Sequence, residues 1–155
     1  MIIYVTGPLG SRRKETAQKL AARNNMDYLD FDEEIKQRDG RSISRIVMTM
    51  GEHEYRNKEY ELLEEFTAKM EDGVPLNLVC ACSDGILLDP MCADLARKGN
   101  IVIADADLTA EELWDQAKDD ASIPYAFMMD ADEERKKEKF LRMYELRKQV
   151  YEEFI

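Results

Sequence analysis

The clearest candidate for chemistry is a glycine-containing segment near the N-terminus, in which Gly7-Pro8-Leu9-Gly10 is followed by Ser11 and three cations, Arg12, Arg13 and Lys14. Backbone N–H groups of a glycine turn at the start of a helix can bind a phosphate group. The pattern G-x-x-x-x-G-K-[ST], begun at Gly7, requires glycine, lysine and a hydroxyl residue at positions 12, 13 and 14. The chain has Arg, Arg and Lys there, so the sequence indicates a phosphate-binding loop with an altered ATP site.

Two further pairs of charged side chains are candidate site residues. Asp30 and Asp32 follow a short apolar segment, at the carboxyl end of a predicted strand. Arg56 and Arg147 lie in the two longest predicted helices. Each pair has an ordinary alternative, because the aspartates can begin a helix and Arg56 can form solvated ion pairs within a charged helix. Arg147 lies on the apolar side of the last predicted helix, so it needs an internal acid or a ligand as its partner.

Strands and helices are expected to alternate along the chain. The predicted strands are Ile2–Val5, Met26–Phe31, Leu76–Ala81 and Ile101–Ala104, and the predicted helices are 14–23, 32–39, 42–50, 52–70, 90–99, 109–117 and 132–154. This alternation is typical of an α/β domain, with a parallel sheet covered by helices on both faces. Ligands bind at the carboxyl ends of such strands, so residues 7–14, 30–32 and 82–85 should converge.

The composition argues against several classes of function. The 155 residues carry a net charge of −11 with a pI of about 4.6, which would repel nucleic acids and anionic membranes. Three cysteines and the lone His53 form neither a disulfide framework nor a metal-ligand set. No signal peptide or membrane-spanning run is found, so we expect a cytoplasmic protein, with a monomer favoured. Core positions are expected for Cys80, Cys82 and Trp114, and core or packing positions for the methionines at 48, 50, 128 and 129.

Longer motifs make the chain similar to the shikimate kinase family over nearly its whole length. The matching motifs are Gly7-Pro8-Leu9-Gly10, Asp30-x-Asp32, Gly51-Glu52-x-x-Tyr55-Arg56-x-x-Glu59, Gly85 ahead of Asp89-Pro90, and Arg147-x-x-x-Tyr151. The resemblance implies one P-loop kinase-like α/β domain over residues 1–155, with a parallel sheet of about five strands. Residues 119–130, which form an irregular segment, would be its mobile lid.

The resemblance also implies roles for individual residues. Asp32 would bind the shikimate hydroxyl and act as the candidate base, and Asp30 would hold Mg²⁺ through water. Arg56, Arg147 and Gly85 would complete the substrate site. The ATP site would comprise Gly7, Gly10, Ser11, Arg12, Arg13 and Lys14, with Arg13 as a catalytic cation in the place of the family's lysine.

The departures from the family pattern are concentrated at the same site. The loop lacks the glycine, the lysine and the magnesium-binding hydroxyl, and Ser83-Asp84-Gly85 replaces a triple glycine. Asp84 would place a negative charge near the anionic end of the substrate. Ile123, ahead of Pro124, stands where the family's lid carries an arginine. Phosphoryl transfer depends on positioned positive charge, so these changes together predict that ATP-dependent catalysis is lost or altered.

Three functions follow as hypotheses. An active protein would be a kinase that uses ATP and Mg²⁺ and acts on shikimate. A non-catalytic member would need no cofactor and would bind a small carboxylate or phosphate in a regulatory or interaction role, with Arg12, Arg13 and Lys14 able to hold sulfate or phosphate. A different P-loop kinase, such as a nucleotide kinase, would need several arginines near the lid, and none lies between Asp119 and Ala131.

Overall fold

A computed structural model describes residues 1–155, and its centre is a four-stranded sheet in which all neighbouring strands are parallel. The strands are β1 (Ile2–Thr6), β2 (Asp27–Asp30), β3 (Leu78–Ala81) and β4 (Asn100–Ile103), in the spatial order β2-β3-β1-β4. The parallel α/β architecture is confirmed. The sheet has four strands where about five were expected, and its two edge strands are β2 and β4.

Seven helices cover the sheet. They are α1 (Arg13–Arg23), α2 (Phe31–Asp39), α3 (Ile43–Met50), α4 (Glu52–Glu71), α5 (Pro90–Ala96), α6 (Ala110–Ala117) and α7 (Glu133–Glu152), with short 3₁₀ turns at Ile86–Leu88 and Ala126–Met129. Thr109 and Glu112 form a capping box at the start of α6, as their spacing predicts. None of the helices is both long and apolar enough to cross a membrane.

Some predicted boundaries move by a few residues, for identifiable reasons. β2 ends at Asp30 because that side chain caps α2, accepting hydrogen bonds from the backbone N–H groups of Asp32 and Glu33. β3 begins at Leu78 because that residue is paired with Ile2, the first residue of β1. α5 stops before the predicted end because the amides of Lys98 and Gly99 bond three residues back instead of four.

The core consists of one large cluster and two smaller ones. The large cluster joins one face of the sheet to α2–α5 and includes the aromatic rings of Tyr4, Phe31 and Tyr55. A second cluster lies between the glycine loop, α6 and α7, where the rings of Trp114 and Phe140 lie 5.4 Å apart. Cys80, Cys82 and Trp114 are buried as predicted. Met48, Met50 and Met129 are more than half exposed, so their predicted core position is wrong; in α3 the buried side chain is Ile46.

Candidate active site

The glycine loop lies between β1 and α1, and its shape depends on α6. Gly10 has a φ of +89°, which favours glycine, and a Cβ there would overlap the carbonyl oxygen of Leu113. The side chain of Gln116 donates a hydrogen bond of 2.7 Å to the Gly10 carbonyl oxygen. The loop is therefore held against α6 at the carboxyl end of β1, where a phosphate-binding loop is expected.

Arg12, the first of the three loop cations, is bound to Asp105, which follows β4. Its backbone N–H and its guanidinium both donate to the Asp105 carboxylate, with an N–O distance of 2.8 Å in each case. These hydrogen bonds lower the pKa of Asp105 to about 2. Sequence analysis missed Asp105, because nothing in its local pattern shows that it would meet the loop.

The other two loop cations face acids inside the site. The Arg13 guanidinium lies 3.5 Å from Asp84, and the Lys14 ammonium lies 3.1 Å from Asp30. Burial lowers the pKa of Arg13, but the negative charges of Asp84 and Asp32 outweigh it and raise the pKa overall. Each of the three cations in the loop therefore already has an acid of the same chain as its partner.

Asp32 lies on the wall of the central cavity and has a protein partner of its own. The Tyr55 hydroxyl donates a hydrogen bond to the Asp32 carboxylate. Burial raises the pKa of Asp32, while the Tyr55 hydrogen bond and the charge of Arg13 lower it, and burial prevails. Asp30 is the helix cap that the ordinary alternative predicts, and it is also the partner of Lys14.

Arg56 is buried among protein partners instead of forming the solvated ion pairs of the ordinary alternative. One terminal nitrogen donates to Glu59 and, over 2.8 Å, to Ser83. The other donates to Glu52 over 2.9 Å and to the Tyr125 hydroxyl over 3.4 Å. Burial lowers the pKa of Arg56, but the charge of Glu59 more than compensates, so the guanidinium remains protonated. Burial also raises the pKa of Glu59, to about 7.

Arg147 of α7 meets the same group of side chains. Its guanidinium donates to Asp84 over 2.8 Å and to the Tyr125 hydroxyl over 3.2 Å, and it lies 3.5 Å from Glu52. Arg56 and Arg147 therefore share Tyr125 and Glu52 as partners. The sequence-based expectation that Arg147 needs a partner agrees with this geometry, and the partner here is an internal acid.

Gly85 lies directly beneath the Arg56 guanidinium. A Cβ at this position would overlap the terminal atoms of Arg56, so a side chain at position 85 would require the guanidinium to leave its hydrogen-bond partners. The preceding residue, Asp84, points the other way, toward Arg13 and Arg147. Gly85 thus contributes to the site by leaving space for a protein side chain.

The loop, β2, β3 and the 119–130 segment enclose a cavity of about 460 Å³, and Asp32 and Asp84 form part of its wall. Its lining includes six acidic and four basic side chains. The acids are Glu15, Asp30, Asp32, Glu33, Asp84 and Asp120, and the bases are Arg12, Arg13, Lys14 and Lys36. Arg56 and Arg147 lie behind this wall and do not line the cavity.

The residues around the loop do not fit magnesium and a nucleotide triphosphate. Lys14 stands where the family carries a hydroxyl ligand, and it is paired with Asp30, the acid expected to hold the metal. No group of three or more acidic, cysteine or histidine side chains is placed to hold a metal ion. Arg12 and Arg13 are also paired with acids, so a phosphate would have to compete with carboxylates for each of these cations.

The 119–130 segment is folded onto the site in this structure. Ile123 and Tyr125 are both buried, and Ile123 lines the cavity together with Pro124. The Tyr125 ring stacks on Phe127 and lies 5.4 Å from the Arg147 guanidinium. Sequence analysis missed Tyr125, although its position just after Pro124 in the 119–130 segment could have drawn attention to it.

A parallel sheet with a glycine loop between its central strand and a helix, and polar side chains at the strand ends, defines a P-loop kinase-like protein. The sequence profile of a family described as shikimate kinase matches residues 10–155. The chain therefore belongs to the shikimate kinase family.

Comparison with individual proteins agrees with this assignment. The shikimate kinase of Aromatoleum aromaticum is 30% identical over 125 residues, covering 80% of this chain and 67% of that protein. The bifunctional shikimate kinase/3-dehydroquinate synthase of Thermotoga maritima is 34% identical over 98 residues. That alignment covers 63% of this chain and 19% of the bifunctional protein, so the chain spans about a fifth of that relative.

Solved structures share the fold. A shikimate kinase from Acinetobacter baumannii in complex with shikimate superposes with a TM-score of 0.79 at 23% identity, covering 99% of this chain and 79% of that one. Shikimate kinase from Aquifex aeolicus gives a TM-score of 0.71 at 21% identity, covering 99% of this chain and 82% of that one.

Proposed function

We propose that this protein is a shikimate kinase family member that no longer transfers phosphate from ATP and acts as a binding module. The observation that carries the proposal is the pairing of each loop cation with an internal acid: Arg12 with Asp105, Arg13 with Asp84 and Lys14 with Asp30. Phosphoryl transfer needs positive charge directed at the phosphates, and here that charge is directed at carboxylates.

One observation favours the competing function, a divergent kinase that still phosphorylates shikimate. Asp32 remains on the cavity wall next to the charge of Arg13, where the resemblance places the base. The phenol of Tyr55 already occupies one oxygen of that carboxylate, however, so a substrate hydroxyl would have to compete with it.

The two functions are separated by measuring ADP release with Mg-ATP and shikimate. We expect no shikimate-dependent ADP release from the wild-type protein and no increase in its melting temperature with Mg-ATP. A matched variant restores the loop pattern through Arg12→Gly, Arg13→Lys and Lys14→Thr. We expect Mg-ATP to raise the melting temperature of this variant by roughly 2–4 °C. Shikimate-dependent ADP release by the wild-type protein would contradict the proposal.

A further inference from the structure

The Asp84 carboxylate is placed as a bound anion would be. Its side chain is only 4% exposed. One oxygen accepts hydrogen bonds from Arg147 over 2.8 Å and from the Tyr125 hydroxyl over 3.0 Å, and the other lies 3.5 Å from Arg13. Two guanidinium groups and a phenol form an ordinary set of donors for a small carboxylate ligand. In this chain the donors are directed at a side chain.

The neighbouring donors have little capacity left for a second anion. A guanidinium has five N–H groups, and four of those of Arg56 are directed at Glu59, Ser83, Glu52 and Tyr125. Arg147 is engaged less fully: one terminal nitrogen serves two acceptors, and the other lies 3.5 Å from Glu52. An incoming carboxylate would therefore have to displace an acid that is already bound.

The backbone fixes Asp84 in this position. The Tyr151 hydroxyl of α7 donates a hydrogen bond to the Asp84 carbonyl oxygen. A tethered carboxylate competes at an effective concentration that a free ligand of millimolar affinity does not match. Beyond its Cα, the aspartate side chain has the composition of acetate.

We propose that Asp84 is an internal anion that fills the guanidinium pocket and determines its specificity, so that the wild-type site excludes carboxylates and removal of this side chain creates a site for one. The inference rests on the proposed function and deepens it at the substrate side of the site, where the wild-type module is expected not to bind a carboxylate. It also predicts that removing the side chain at position 84 is sufficient to open the site to one.

Chemical rescue tests the proposal. Asp84→Gly leaves Arg13 and Arg147 without their acid, so we expect the variant to melt at a lower temperature than the wild type in sodium chloride. Sodium acetate at the same ionic strength should raise the melting temperature of the variant by roughly 2–4 °C, because acetate binds only the folded state. The melting temperature of the wild-type protein should differ by less than about 1 °C between the two salts. Shikimate, a larger carboxylate, is then titrated against both proteins.

Three controls make the result specific. Acetamide, which has a similar shape and no charge, should not rescue Asp84→Gly. Asp84→Gly combined with Arg147→Ala lacks the main donor and should not respond to acetate. Asp105→Gly removes an acid whose partner Arg12 is half exposed. The melting temperature of this variant should therefore be the same in acetate and in chloride.

Two results would overturn the proposal: equal melting temperatures of Asp84→Gly in acetate and chloride, or stabilisation of the wild type by acetate to the same extent. If Asp84→Gly does not fold in chloride, its refolding yield in acetate against chloride provides the same comparison. The proposed loss of phosphoryl transfer is tested separately, by ADP release from the wild type. A wild-type protein that released ADP would contradict that function while leaving the rescue of Asp84→Gly to decide the role of Asp84.

Discussion

At the scale of single residues, Glu59 shows how the burial of the ion network affects stability. The side chain is fully buried, and burial raises its pKa from an ordinary value of 4.5 to about 7, although Arg56 and Ser83 act in the opposite direction. The folded protein therefore binds this proton more tightly than the unfolded chain does. The stability that Glu59 contributes is complete below about pH 4.5 and is lost as the pH rises through 7.

The prediction is that Glu59→Gln removes this pH dependence. Between pH 5 and pH 8, the free energy of unfolding of the wild type should fall relative to that of the variant by roughly 2.5 kcal/mol. Urea denaturation of both proteins at the two pH values measures the difference. Glu61→Gln, at an exposed position on the same helix, should follow the wild type. Parallel pH profiles for wild type and Glu59→Gln would show that Glu59 does not titrate in this range.

At the scale of elements, the contact between the glycine loop and α6 determines the shape of the loop. Gly10 and Gly40 both have a positive φ, of +89° and +86°, but only Gly10 faces a neighbour, since a Cβ at Gly40 would meet nothing. The two positions therefore separate the cost of the backbone conformation from the cost of a clash with α6.

We predict that Gly10→Ala is much more destabilising than Gly40→Ala. The second substitution should cost about 1 kcal/mol for the left-handed conformation alone, and the first should cost about 2–4 kcal/mol because the loop must also move away from Leu113. Thermal and urea unfolding of both variants provide the comparison. Equal losses would mean that the loop can shift away from α6 at little cost.

The elements also show where sequence reasoning succeeded and where it could not succeed. The helix start at Asp30, the helix start at Thr109 and the strand that begins at Ile2 follow from local patterns, because caps and short apolar runs act over a few residues. The partners of the cations are separated widely in sequence: Arg12 meets Asp105, and Arg147 meets Asp84. Those pairings depend on how the strands and helices assemble, which local patterns do not contain.

At the scale of the whole molecule, the family and the parallel α/β fold were predictable, because motifs from both ends of the chain agree with one architecture. The convergence of Arg56 and Arg147 also followed from the family resemblance. That their donors would be taken up by Glu52, Tyr125 and Asp84 did not follow from it, since only side-chain geometry shows which acids reach a guanidinium.

The two main core clusters should unfold with different ease. Sixteen buried residues form the cluster around the sheet, and seven form the one between the loop, α6 and α7, which includes Trp114 and Phe140. Trp114 is the single tryptophan, so fluorescence reports on the smaller cluster, while circular dichroism reports on all helices. Fewer buried apolar side chains mean a lower free energy for opening that part of the structure.

We predict that Phe140→Ala separates the two signals. Loss of the ring that packs on Trp114 should destabilise the smaller cluster by about 3–5 kcal/mol, so the fluorescence transition in urea should precede the one seen by circular dichroism. Leu62→Ala, in the larger cluster, should lower both transitions together. Coincident transitions in Phe140→Ala would indicate that the molecule unfolds as one cooperative unit.

The closeness of Gly85 to Arg56 makes three positions depend on one another in any mutational library. A larger residue at 85 can be accepted only where the side chain at 56 ends short of the guanidinium. Once that guanidinium is gone, Glu59 is left buried without its cation, so a neutral residue at 59 is favoured in turn. Selection for folded variants should recover these three positions as linked combinations, and single changes at 85 should be rare among the survivors.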